Sequence, residues 1–145
     1  MMADPGIDFR FLTEPTEEEI RRILTLYRAA DWWEQAAEPD PQDVSRLVAG
    51  SYCFLAAFLD GRLVAMGRVL SDGVSDAYIQ DVTVEEPLRR RGIGSELVRE
   101  MTRRLEMDGI RWIGLIAAGN TEGFYLPLGF QPVPGAASML FRKIR

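Results

Sequence analysis

The sequence has no histidine and a single cysteine, Cys53. Histidine is the side chain that titrates nearest neutral pH. Proton transfer here therefore falls to carboxylates, tyrosine, cysteine or water. Histidine-rich zinc sites are excluded, and one cysteine cannot replace them. One cysteine cannot close an internal disulfide either, which fits a reducing cytoplasm. No apolar run reaches the ~18 residues that a membrane helix needs. The first residues, Met1 to Pro5, lack the basic start and apolar stretch of a secretory signal. An excess of positive charge is also missing. The net charge is -5, which disfavours general nucleic-acid binding, because that role needs a basic face. An acidic surface suits a cationic small molecule or peptide instead.

With 145 residues, 47% of them hydrophobic, the chain has the length and apolar content of one cored domain. Ile7 to Leu12 alternates and predicts a first strand. Thr16 and Glu19 form a capping box ahead of a helix whose apolar face is Ile20, Ile23, Leu24 and Tyr27. Asp40 and Pro41 open a second helix that runs to Gly50. Tyr52–Leu59 and Arg62–Leu70 predict two strands joined by an Asp60-Gly61 hairpin turn. Ser71-Asp72-Gly73 turns the chain into a fourth strand, Ala77 to Val84. A helix follows from Ile93, with Leu97, Val98, Met101 and Leu105 on one face and Gly109 as its cap. Ile110 to Ala117 predicts a fifth strand, buried and apolar. A short helix from Asn120 ends at Gly129, and Phe130–Val133 and Ser138–Arg142 predict two last strands. Strands and helices in this order give an α+β fold with mixed pairing.

The stretch between the fourth strand and its helix, Arg89-Arg90-Arg91-Gly92-Ile93-Gly94-Ser95, carries the strongest chemical signal. Glycines let a ligand approach the backbone. A helix start presents unpaired N–H groups and partial positive charge. With three arginines beside it, the turn suits phosphate or pyrophosphate. Two glycines would also suit a tight turn, and three arginines a solvated corner. A Walker loop is excluded, because no Gly-Lys-Ser/Thr follows, and the dinucleotide fingerprint fails at Leu97, where its third glycine would fall.

Arg89-x-x-Gly92-x-Gly94 resembles the Gln/Arg-x-x-Gly-x-Gly/Ala signature of the GNAT superfamily of N-acetyltransferases. Asn120 with Phe124-Tyr125-Leu126-Pro127-Leu128-Gly129-Phe130 resembles that family's second motif, Asn…Phe-Tyr-x-x-x-Gly-Phe. The resemblance spans about Phe9 to Phe141. It implies a mixed, mostly antiparallel central sheet with helices on both faces and splayed fourth and fifth strands. It implies transfer of an acetyl group from acetyl-CoA to a primary amine of a small molecule or peptide, by direct transfer in a ternary complex and without a metal. The alternative is a non-catalytic acyl-CoA-binding or regulatory module on the same fold. Nucleic acid and membrane are not expected partners; a homodimer is open, since family members often pair through edge strands or C-terminal segments.

The resemblance also assigns roles. Arg89, Arg90, Arg91, Gly92, Ile93, Gly94 and Ser95 would hold the pyrophosphate. The backbone of Val82, Thr83 and Val84 would polarise the thioester carbonyl and carry the pantetheine arm. Tyr125 would protonate the leaving thiolate, unless it is a core tyrosine. Asn120 would bond the pantetheine, or cap the short helix. An ammonium is not nucleophilic, so the amine must lose a proton; Asp81, Asp76 and Glu34 are the candidate bases, Asp81 foremost, with a structural hydrogen bond as its other reading. Alternation puts Asp81 opposite Tyr78, Gln80 and Val82 unless a bulge intervenes. Tyr27, Trp32, Trp33, Glu34 and Tyr78 would line the acceptor, although the tryptophans also suit a core. Cys53, in an apolar strand, reads as a small buried hydrophobe.

Overall fold

The computed structural model describes residues 5–32 and 40–141. It divides into two compact units, residues 1–115 and 116–145. The first holds a five-stranded sheet in the order β1-β2-β3-β4-β5. Its strands are β1 (Ile7–Phe11), β2 (Cys53–Leu59), β3 (Arg62–Ser71), β4 (Asp76–Val84) and β5 (Trp112–Gly114). The first three pairings are antiparallel and β4 with β5 is parallel. The fold is α+β with a mixed sheet.

Helices cover both faces of that sheet. Helix α1 (Glu17–Ala30) carries the expected capping box: the Thr16 hydroxyl accepts from the Glu19 N–H and the Glu19 carboxylate accepts from the Thr16 N–H. Such a cap stabilises a helix by about 1 kcal/mol. Helix α2 (Pro41–Gly50) starts from an Asp40 cap. Ile23, Leu24 and Tyr27 of α1 and Val44 and Val48 of α2 pack on Phe54, Ala56, Phe58, Leu63 and Met66 of the sheet. Helix α3 (Ile93–Met107) covers the opposite face with Leu97, Val98, Met101 and Leu105, all buried. Strand β2 lies between both layers, so six consecutive residues, Cys53 to Phe58, are buried. Gly67 of β3 faces α3. A Cβ there would stand 2.7 Å from Met101 Cε and 3.3 Å from Val82 Cγ2, so its hydrogen lets α3 sit close. Helix α3 ends in a Schellman motif, with Ile110 N–H on the Leu105 carbonyl and Gly109 N–H on the Glu106 carbonyl.

The second unit contains helix α4 (Glu122–Tyr125) and a 3₁₀ turn at Leu126–Leu128. Three expectations need correction. Strand β5 is three residues, not the eight from Ile110 to Ala117. Neither last strand forms among the described residues 130–141. Pro132 removes a ladder donor from the first of them, and Pro134 directly follows it. The second, with Met139 and Phe141 almost fully exposed, has no partner strand, and Arg142 lies outside the described residues. A strand-like residue pattern does not make a strand unless another edge receives its hydrogen bonds. Asn120 does not cap α4. Thr121 occupies that position and Asn120 precedes it in a left-handed conformation.

Candidate active site

Strands β4 and β5 are in register at only three pairs, Asp76–Trp112, Ala77–Ile113 and Tyr78–Gly114. Beyond Tyr78, β4 runs six residues further to Val84 with no β5 partner. This is the splay. Along the same stretch the β3–β4 register shifts. Met66 faces Thr83 and Arg68 faces Gln80, so Asp81 and Val82 together oppose Gly67. Such a bulge re-aims side chains. Asp81 sits at it with φ 59°, in the left-handed region.

The bulge turns Asp81 toward α1. Its Oδ2 accepts a hydrogen bond from Tyr27 Oη at 2.8 Å and from Arg68 Nε at 2.6 Å. Arg68 and Asp81 side chains are 15% and 20% exposed, so this is a largely desolvated ion pair. Tyr27 is 1% exposed. Burial first, and then the Asp81 charge, raise its pKa far above the ordinary value, so it stays a neutral donor. Arg68 also reaches Gln80 Oε1 at 3.4 Å. Trp32 stands edge-on to Tyr27, with ring centroids 6.2 Å apart, and is 49% exposed. The structure thus gathers Tyr27, Trp32 and Asp81 on the α1 side of the sheet, and adds Arg68. Tyr78 and Gln80 lie on that side too, because they pair with Leu70 and Arg68. Trp33 and Glu34 lie outside the described residues. Asp76 is at the far end of β4, where it accepts from the Ser75 hydroxyl.

At the other end of β4, a 3₁₀ turn at Glu86–Leu88 leads into the glycine turn. Gly92 is buried, has φ 80° and caps α3 without any side-chain hydrogen bond. A side chain would be strained in that conformation. The first internal bond of α3 is Glu96 N–H to the Gly92 carbonyl, so the N–H groups of Ile93, Gly94 and Ser95 precede the helical ladder. Arg90 is exposed, with φ 66°. Arg89 does something the sequence did not suggest. Its Nε donates to the Val84 carbonyl at 3.0 Å, which ties the turn to the end of β4. Residues 82–84 and 89–95 are therefore one continuous feature: an unpaired strand edge that runs into an uncapped helix start.

Tyr125 and Asn120 belong to the second unit. Tyr125 is half-buried between the edges of Phe124 and Phe130, at centroid distances of 4.8 and 5.8 Å. Burial raises its pKa. Asn120 is exposed.

The family model for the acetyltransferase (GNAT) family matches residues 17–130. The chain belongs to the GNAT acetyltransferases. GCN5-related N-acetyltransferase 1, chloroplastic, of Arabidopsis thaliana is 38% identical over 86 residues, which cover 58% of this chain and 44% of that protein. Serotonin N-acetyltransferase 2, chloroplastic, of Oryza sativa subsp. japonica is 37% identical, over 59% of this chain and 43% of that one. The chain spans less than half the length of these relatives. A GNAT-family acetyltransferase structure from Streptococcus pneumoniae superposes with a TM-score of 0.77 at 22% identity, covering 96% of this chain and 99% of that one. It shares the fold. The relatives' names correct one expectation. Both are chloroplastic, which overturns the cytoplasmic assignment. That assignment rested on a lone cysteine, and a reducing compartment is not a particular compartment. Acetyl-CoA is the GNAT cosubstrate, and a polyanionic, thioester-bearing ligand fits the donor set described above.

Proposed function

We propose that the protein is an acetyl-CoA-dependent N-acetyltransferase that acts on a primary amine by direct transfer in a ternary complex. The observation that carries the reading is the continuous feature from the splayed edge of β4 to the uncapped start of α3. Ile93, Gly94 and Ser95 offer backbone N–H groups to the pyrophosphate, with the arginine turn adding charge. The β4 backbone at Val82 to Val84 receives the pantetheine arm and polarises the carbonyl. The thioester supplies an acyl carbon open to attack. The amine nitrogen bonds to it, the C–S bond breaks, and Tyr125 donates its proton to the departing sulfur. Raising the pKa of Tyr125 by burial keeps that proton in place until the thiolate forms. Asn120 bonds the pantetheine. We assign Asp81 the holding of the bulge rather than proton removal, because its Oδ2 already accepts two hydrogen bonds; water then takes the amine's proton. The rice relative is named for serotonin, a primary amine, which supports an amine acceptor here. The family match crosses both compact units, which supports one acetyltransferase domain.

The test is isothermal titration of acetyl-CoA into the wild type and a Gly94→Glu variant. Gly94 is preferable to Gly92, whose positive φ would add strain to the charge effect. Micromolar binding that weakens at least tenfold in the variant supports the site. No binding by the wild type would overturn it. Binding with no thiol release across a panel of amines would leave a binding module, not an enzyme.

A further inference from the structure

Two aromatic rings outside the core lie where β4 and β5 part. Tyr78 and Trp112 are each 45% exposed, and their ring centroids are 5.2 Å apart at a tilt of 55°. The arrangement is built rather than incidental. Gly114 pairs with Tyr78 across the strands, and a Cβ on Gly114 would stand 2.4 Å from the Trp112 ring. The indole therefore lies across the bare backbone of Gly114, beside Tyr78. Parallel register puts Trp112, Gly114 and Tyr78 on one face. It is the face that carries Arg68 and Asp81. Core packing does not explain two half-exposed rings, since α1 and α2 bury their own aromatic, Tyr27, at 1%.

We infer that Tyr78 and Trp112 form the wall that binds the acceptor, and that the acceptor is an amine with an aromatic ring on a short alkyl arm. The inference rests on the acetyltransferase reading above. Strand rise is about 3.3 Å per residue, so the wall at Tyr78 stands roughly 10 Å along β4 from the bulge at Asp81. An acceptor ring stacked about 5 Å from Tyr78 on the side toward the bulge leaves roughly 5 Å to the bulge, the reach of a two-carbon arm from ring centre to nitrogen. Aromatic faces attract both a ring, offset or edge-on, and the ammonium form in which such an amine arrives. Gly114 sets specificity indirectly, because any side chain there would lift the indole off the sheet.

Thiol release from acetyl-CoA would be measured with 2-phenylethylamine and with 2-cyclohexylethylamine, a non-aromatic match in size. The wild type should show a KM at least tenfold lower for the aromatic amine. Trp112→Ala should remove most of that preference with kcat within about twofold and acetyl-CoA affinity unchanged, and Trp112→Phe should restore it. Titration of 2-phenylethylamine into CoA-saturated protein reads the same wall without turnover. If the wild type binds acetyl-CoA but neither discriminates the two amines nor binds the aromatic one more tightly, the inference is wrong and the parent reading stands. If it does not bind acetyl-CoA at all, both fall.

Discussion

The Arg68–Asp81 pair shows what one buried charge requires. Taking both groups out of water is costly, and their mutual attraction offsets that cost only while both remain. Arg68→Met should therefore destabilise the protein by about 3 kcal/mol in urea unfolding, the low end for a buried pair because both groups keep some exposure. Adding Asp81→Asn should recover part of the loss, since it removes the stranded charge and asparagine tolerates a positive φ. A double variant less stable than Arg68→Met would contradict this account. Tyr27, Asp81 and Trp32 were legible as site candidates in the sequence. Arg68 belongs to neither motif. A lone arginine between Gly67 and Val69, inside an apolar strand, was the available signal, because a charge at such a position needs a partner. Cys53 permits a test of burial through pH. Burial pushes its thiol from 9.0 up to about 11. A folded-state pKa above the unfolded one stabilises the native protein below the unfolded value, and that contribution is lost as pH rises through the folded value. Wild-type stability should thus fall between pH 9 and 11, and Cys53→Ala should fall less steeply over the same interval. Parallel slopes would mean that the thiol is not shielded.

Elements with local determinants are legible in the sequence, and elements that depend on distant partners are not. The caps at Thr16 and Asp40 and the Schellman end of α3 involve residues a few positions apart, so the sequence displays them directly. The length of β5 and the fate of residues 130–141 depend on which edges are available, and sequence pattern does not encode that. The sequence carries the β4 bulge only as a condition on the Asp81 direction, because a two-against-one register is a property of a pair of strands. Gly67 belongs to the same class. Its need for a hydrogen becomes visible only when Met101 of α3 lies over it. Gly67→Val should destabilise by about 1–3 kcal/mol through overpacking. Met101→Ala in the same chain should relieve part of that cost, so the two changes should be clearly non-additive in chemical denaturation. Additive costs would show that α3 does not rest on Gly67.

At the scale of the molecule, net charge and local charge oppose each other at the proposed cofactor site. A chain with 22 acidic and 17 basic residues repels a polyanion at long range. Arg90 and its neighbours must reverse that field over a few ångströms at the start of α3. Salt discriminates between the two effects. Screening weakens local attraction and global repulsion alike, since the Debye length falls from about 10 Å at 0.1 M to about 3 Å at 1 M. If the arginine turn holds the phosphates, the Kd of acetyl-CoA should rise several-fold from 0.05 to 0.5 M salt, and Arg90→Ala should flatten that dependence. The KM of a cationic amine should rise over the same range, because the acidic surface attracts it, and it should do so equally in the Arg90→Ala variant. A Kd that falls with salt would mean that global repulsion dominates, and the phosphates would then have to lie away from residues 89–95.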